Sequence, residues 1–153
     1  MKNDIRKLDL KDEKILKEIL ELQKLSYKIE AEIINFYDIP TLKDTISTLR
    51  ECGGTFYGCY ENNVLSGIIS YKIIDKVLDI HRAAVHPNFF KKGITSKLLD
   101  YVQDSEKDIN KMLVSTGKEN LPAASLYIKK GFSKVRDMEV VKRFFITEFE
   151  KVL

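Results

Sequence analysis

Along this chain the apolar residues recur first at every second position, then at every third or fourth, then alternate again, and each change of period marks a new element. Residues 4–10, "DIRKLDL", alternate through Ile5, Leu8 and Leu10 and predict a short strand. Residues 10–33 follow with Ile15, Leu16, Ile19, Leu20 and Ile29 at helical spacing. After Pro40, residues 41–52 place Leu42, Ile46 and Leu49 at helical spacing, with Thr41 as the expected cap and Gly53–Gly54 as the stop. The period then falls to two, predicting a meander of three strands over residues 55–61, 64–73 and 76–86, the first two joined by "NN".

A helical stripe returns through Ile94, Leu98, Leu99 and Val102, in a helix starting near residue 92. A compact strand at 110–117, a short helix from Asn120 closed by Gly131, and two strands at 135–141 and 143–153 complete the chain. The order is β-α-α-β-β-β-α-β-α-β-β. A meander feeding a β-α-β-α unit implies an α+β fold, with a mixed, mostly antiparallel central sheet and helices on both faces. With 153 residues and no visible repeat or linker, one domain over 1–153 is expected.

Composition narrows the partners. Charged residues make up 32% of the chain, yet the net charge is only +3, so nothing demands nucleic acid or an anionic membrane. Aromatics do neighbour lysines in "FFKKG" and "YIKKGF", a pattern used on single strands, but these aromatics have ordinary packing roles. Cys52 and Cys59 read as small hydrophobes, and with two histidines they show no metal-ligand spacing. The charged N-terminal stretch has no apolar core of a signal peptide, so a cytoplasmic protein without metal is expected.

The candidate chemistry begins at Gly93, between a strand and a helix. A helix N-terminus presents unpaired N–H groups and the positive end of its dipole, and a glycine there lets an anion come close to the backbone. Lys91, Lys92 and Lys97 add positive potential.

Two segments together resemble the GCN5-related N-acetyltransferase superfamily. The family's V-x-P followed by R/Q-x-x-G-x-G/A aligns with Val85, Pro87, Phe90, Lys91, Lys92, Gly93, Ile94 and Thr95. Its N-x-x-A-x-x-L-Y-x-x-x-G-F is met by Asn120, Ala123, Leu126, Tyr127, Gly131 and Phe132. Phe90 and Thr95 depart from the pattern, standing where the family has Arg or Gln and a second Gly or Ala.

The resemblance implies the acyl-CoA N-acyltransferase fold, acetyl-CoA as co-substrate, and direct attack of an amine on the thioester. It implies that N–H groups of residues 91–96, Ser96 included, hold the pyrophosphate, and that Ala83, Ala84 and Val85 hold the coenzyme arm. Asn120 and Ala123 would lie beside that arm, with Asn120 also suited to cap its helix. Tyr127 would protonate the departing thiolate. Asp79 and His81 are the implied candidates for the base, with His86 at the strand end facing solvent. On an unbulged strand Asp79, His81 and Ala83 share one face and Ile80, Arg82 and Ala84 the other. Glu30, Glu32, Tyr37 and Asp38 fall where the family places its acceptor, and acids there favour a cationic amine. A catalytically silent acetyl-CoA-binding or sensing module of the same fold is the alternative; the assembly is a monomer or homodimer.

Overall fold

A computed structural model describes residues 4–38 and 40–153, with the side chains of 40 and 41 excepted. Its elements are β1 (Asp4–Lys7), α1 (Glu13–Ile34), α2 (Ile46–Glu51), β2 (Thr55–Glu61), β3 (Val64–Ile74) and β4 (Val77–Val85). They continue with α3 (Ile94–Ser105), β5 (Lys111–Gly117), α4 (Leu121–Lys129), β6 (Ser133–Val141) and β7 (Phe144–Val152). The order is the one the periodicities predict, with two single 3₁₀ turns added at Pro40–Lys43 and Pro87–Phe89.

Local chemistry moves three boundaries. The strand expected over 4–10 stops at Lys7 and α1 starts at Glu13, because Asp9 and Asp12 accept backbone N–H groups of Lys11 and Lys14 and turn the chain. The second helix starts at Ile46, where Thr45 and Thr48 exchange side-chain bonds with each other's backbone in a capping box. The expected cap at Thr41 concerns a side chain outside the described residues; its backbone lies in a 3₁₀ turn.

The seven strands form one sheet in the order β1-β2-β3-β4-β5-β7-β6. All neighbours are antiparallel except β4 and β5. One face carries α1 and α2, whose Leu16, Ile19, Leu22 and Leu49 pack on Phe56, Leu65 and Ile68. The other carries α3 and α4, whose Ile94, Leu98, Val102 and Tyr127 pack with Ile69, Tyr71, Leu78 and Met112. Each large aliphatic side chain removed from water this way contributes about 1.5–3 kcal/mol. Among the described residues no helix is long and apolar enough to cross a membrane.

Two details of β4 position everything that follows. Ser70 pairs with Arg82 and Tyr71 with Ile80, so His81 is an extra residue on β4, a bulge that resets the alternation. The expected shared face of Ile80, Arg82 and Ala84 is therefore corrected. Ile80 faces the α3 layer together with Ala83 and Val85, while Ala84 packs with α1 and Arg82 lies over the Phe56 ring. Second, β4 pairs with β5 at only three positions, Val77, Leu78 and Asp79 against Lys111, Met112 and Leu113. Beyond them the two strands part.

The start of α3 is pressed onto the sheet over Gly67 of β3. A Cβ at position 67 would collide with Ile94 Cγ2 and sit 3.4 Å from the carbonyl oxygen of Ala84. Gly67→Ala is accordingly expected to lower unfolding free energy by about 1–3 kcal/mol, read from urea denaturation.

Candidate functional site

Where β4 and β5 part, the space between them opens into a cleft of about 900 Å³. Its walls come from the second half of α1, the bulged half of β4, the turn into α3, the end of β5, α4 and the start of β7. His86 N–H bonds to Ser66 of β3, so by strand alternation Ala84 also bonds toward β3 while Ala83 and Val85 direct their backbone groups into the gap. Ser26 of α1 accepts the Val85 N–H at 3.3 Å. That leaves the Ala83 backbone groups and the Val85 carbonyl as the strand edge that faces the cleft.

The turn into α3 shows why a glycine stands at 93. Gly93 is the N-cap in the left-handed region (φ 72°), with no side-chain bond capping the helix and no atom within 4 Å of where a Cβ would stand. The first-turn N–H groups of α3 lack helical partners, as at any helix start, and belong to residues that line the cleft. Lys91 is also left-handed (φ 65°), a conformation strained for a non-glycine residue. Phe90, Lys91, Gly93, Ile94, Thr95 and Ser96 all line the cleft. Lys92 does not; its ammonium lies over the Phe89 ring, 5.3 Å from the centroid.

Opposite the turn, Tyr127 is 5% exposed and packs against Phe132 and Phe149. Burial, and after it the negative charge of Glu30, push its hydroxyl well above the usual phenol range. Tyr127 is therefore fully protonated at neutral pH. Asn120 caps α4 by accepting the Ala123 N–H at 3.3 Å, and its amide donates to Glu30 at 3.1 Å. Thr116 also donates to Glu30, at 3.4 Å. Burial raises the Glu30 carboxyl above its ordinary value, and these two hydrogen bonds offset part of the rise.

The other expected site residues scatter. Ala123 and Val85 line the cleft, but Ala84 does not: its side chain belongs to the α1 core. His81 lines the cleft from the bulge and its Nε2 lies 3.3 Å from Asp79, which sits outside the cleft and is largely exposed. Glu32 and Tyr37 are exposed away from the cleft, and Asp38 pairs with Lys43 at the surface. His86 is half-buried rather than solvent-facing, its Nδ1 accepting the Asn88 N–H at 3.1 Å.

The sequence reading missed a buried ion pair beside the site. Arg82 meets Asp44 at 3.2 Å with both side chains nearly covered, and Asp44 also accepts from Gln23 at 2.9 Å and Thr48 at 2.9 Å. It also missed the rings of Phe36 and Phe144, stacked 3.9 Å apart at 7° where α1 and β7 meet over the cleft. Among the described residues no three His, Cys, Asp or Glu side chains gather into a metal-binding group.

The cleft thus joins the glycine-opened start of α3, the Ala83 strand edge, a buried phenol and a carboxylate of raised pKa. Residues 16–132 match the acetyltransferase (GNAT) family. UPF0157 protein YqkA of Bacillus subtilis (strain 168) is 37% identical over 142 residues, which is 93% of this chain and 41% of that protein. The chain therefore spans about two fifths of the length of this relative. Among solved structures, the PaiA N-acetyltransferase of Thermoplasma acidophilum in complex with coenzyme A superposes with a TM-score of 0.78 at 24% identity, covering 100% of both chains. The ribosomal-protein-S18-alanine N-acetyltransferase of Escherichia coli superposes with a TM-score of 0.79 at 14% identity, covering 99% of this chain and 94% of that one. At these identities the two structures speak to the fold, and the match over residues 16–132 to the lineage: the chain belongs to the acetyltransferase (GNAT) family.

Proposed function

We propose that this protein transfers an acetyl group from acetyl-CoA to a primary amine, directly and without a covalent bond to the protein. The observation that carries the reading is the meeting, in one cleft, of the glycine-opened α3 N-terminus, the Ala83 strand edge and the Tyr127–Glu30 pair. These residues fit the coenzyme. The α3 turn offers N–H groups for a pyrophosphate with Lys91 beside it, Thr95 adds a hydroxyl at the same turn, and Ala83 offers backbone groups to an amide-bearing arm. The presence of coenzyme A in the Thermoplasma structure supports the same reading.

When bound, acetyl-CoA supplies an activated thioester whose thiolate is the leaving group. The protein must then unload a proton from the attacking amine and deliver one to the sulfur. We assign the first task to Glu30 rather than to His81 or Asp79. Glu30 lies inside the cleft, and its raised pKa makes it a better proton acceptor than an ordinary glutamate, whereas His81 is directed toward Asp79. Tyr127 holds the second proton. The two tasks are coupled: once Glu30 takes a proton its charge vanishes, and with it one of the two causes that hold the Tyr127 proton so tightly.

Tyr127→Phe is expected to reduce kcat by about 10²–10⁴-fold, the usual span for a lost general acid, with acetyl-CoA binding retained by calorimetry; an unchanged kcat would remove Tyr127 from the acid role.

Glu30→Gln keeps both hydrogen-bond acceptor contacts but not the charge. Because the folded protein holds the Glu30 proton more tightly than the unfolded chain, stability is greatest below the ordinary glutamate pKa and declines as pH rises through the raised value. The glutamine variant should therefore be more stable than the parent at neutral pH, and the difference should disappear near about pH 4, as read from denaturation at both pH values. Its transfer rate should fall below the parent's at neutral pH, and this difference too should shrink as pH falls and the parent's carboxylate takes up its proton.

At the cradle, Gly93→Ala places a side chain in the left-handed region, which costs about 1–2 kcal/mol. It should lower the melting temperature and weaken acetyl-CoA binding in the same variant.

A further inference from the structure

Resting on the reading of the cleft as an acyl-transfer site, we infer that its acceptor is an amine with a single positive charge carried on an aromatic or branched apolar arm, and that linear polyamines are poor acceptors. One wall of the cleft is built where α1 ends. Asn35 closes that helix in the left-handed conformation (φ 53°), its N–H returning to the Ala31 carbonyl, and this reversal delivers Phe36 onto Phe144. Ile33, Ile34 and Ile146 extend the apolar wall on either side. Ile33 is 48% exposed, an apolar surface that an apolar ligand would cover.

The charges in the cleft are few and mostly committed. Glu30 is the one carboxylate among the described residues that line it. Both donors to Glu30 bond Oε1, and among the described residues nothing bonds Oε2, which is the oxygen left for an ammonium. Arg82 is satisfied by Asp44, the His81 ring is directed at Asp79, and Lys91 belongs to the α3 turn. One ammonium therefore finds one counter-charge. A second, a few methylenes away on a polyamine, would have to leave water against isoleucine and phenylalanine side chains without a carboxylate, and a ring face returns only a fraction of that loss. An aryl group in the same place continues the Phe36–Phe144 stack instead.

The test is thiol release from acetyl-CoA by the full chain with methylamine, 2-phenylethylamine and spermidine as acceptors. The kcat/KM for 2-phenylethylamine is expected to exceed that for spermidine by at least about 10-fold. Replacing the ring by Phe144→Ala, or by Phe144→Leu should the alanine variant fail to fold, should lower the ratio of 2-phenylethylamine to methylamine by about 10-fold or more. Equal or better use of spermidine, or a ratio that Phe144→Leu and Phe144→Ala leave unmoved, would overturn the inference while the acyl-transfer reading stands. Failure to acetylate any of the three would overturn both.

Discussion

The site depends on two parallel strands that stay together for three residues and then separate. A strand edge in the middle of a sheet leaves N–H and C=O groups that must find partners, and a protein interior does not tolerate them unpaired. Part of the need is met within the chain, where Ser26 takes the Val85 N–H. The rest of the edge faces the cleft. The parting is held open from both sides: α3 is pressed onto Gly67 below β4, and the end of β5 continues into an antiparallel ladder with β7 rather than returning to β4. The bulge at His81 assists, because an extra residue bends and twists the strand that carries it.

Burial then sets the electrostatics. Arg82 lines the same cleft as Glu30 but is paired with Asp44, with Gln23 and Thr48 completing that carboxylate's bonds. Such a pair contributes little net stability after desolvation, but breaking it would strand a buried charge, so it fixes how the turn before α2 sits against β4. Among the described residues Glu30 has no cation of this kind. It is held by two neutral donors, which leaves its charge costly and its proton affinity high. The contrast separates a carboxylate neutralised by a cation from one held by neutral donors alone.

Much of the fold was legible because it is written in local periodicity: α1 repeats its buried positions through Leu16, Ile19, Leu22 and Tyr27, and the strand character of β3 shows in its apolar residues, although it is buried on both faces from Leu65 to Tyr71. The α3 turn was legible for the same reason, being a contiguous stretch with a glycine where the backbone needs one. What depends on register between distant segments was not. The extra residue at His81 is a property of how β4 meets β3, and no feature of "LDIHRAAV" announces it, so the side-chain directions after it were misassigned. Glu30, Glu32 and Tyr37 look equivalent in sequence; only the donors Thr116 and Asn120, 86 and 90 residues further on, single out the first. The Arg82–Asp44 pair likewise joins residues 38 apart.

Asn120 illustrates how a motif letter can encode a geometry rather than a reaction. Its oxygen must accept from the α4 backbone while its nitrogen donates to Glu30, two opposite demands on one short side chain. Serine and threonine can cap but reach less far, aspartate can cap but would set a second negative charge against Glu30, and glutamine can donate but is a poor cap. The demand on this position is therefore geometric rather than reactive: one short amide side chain holds the start of α4 and the Glu30 carboxylate at the same time.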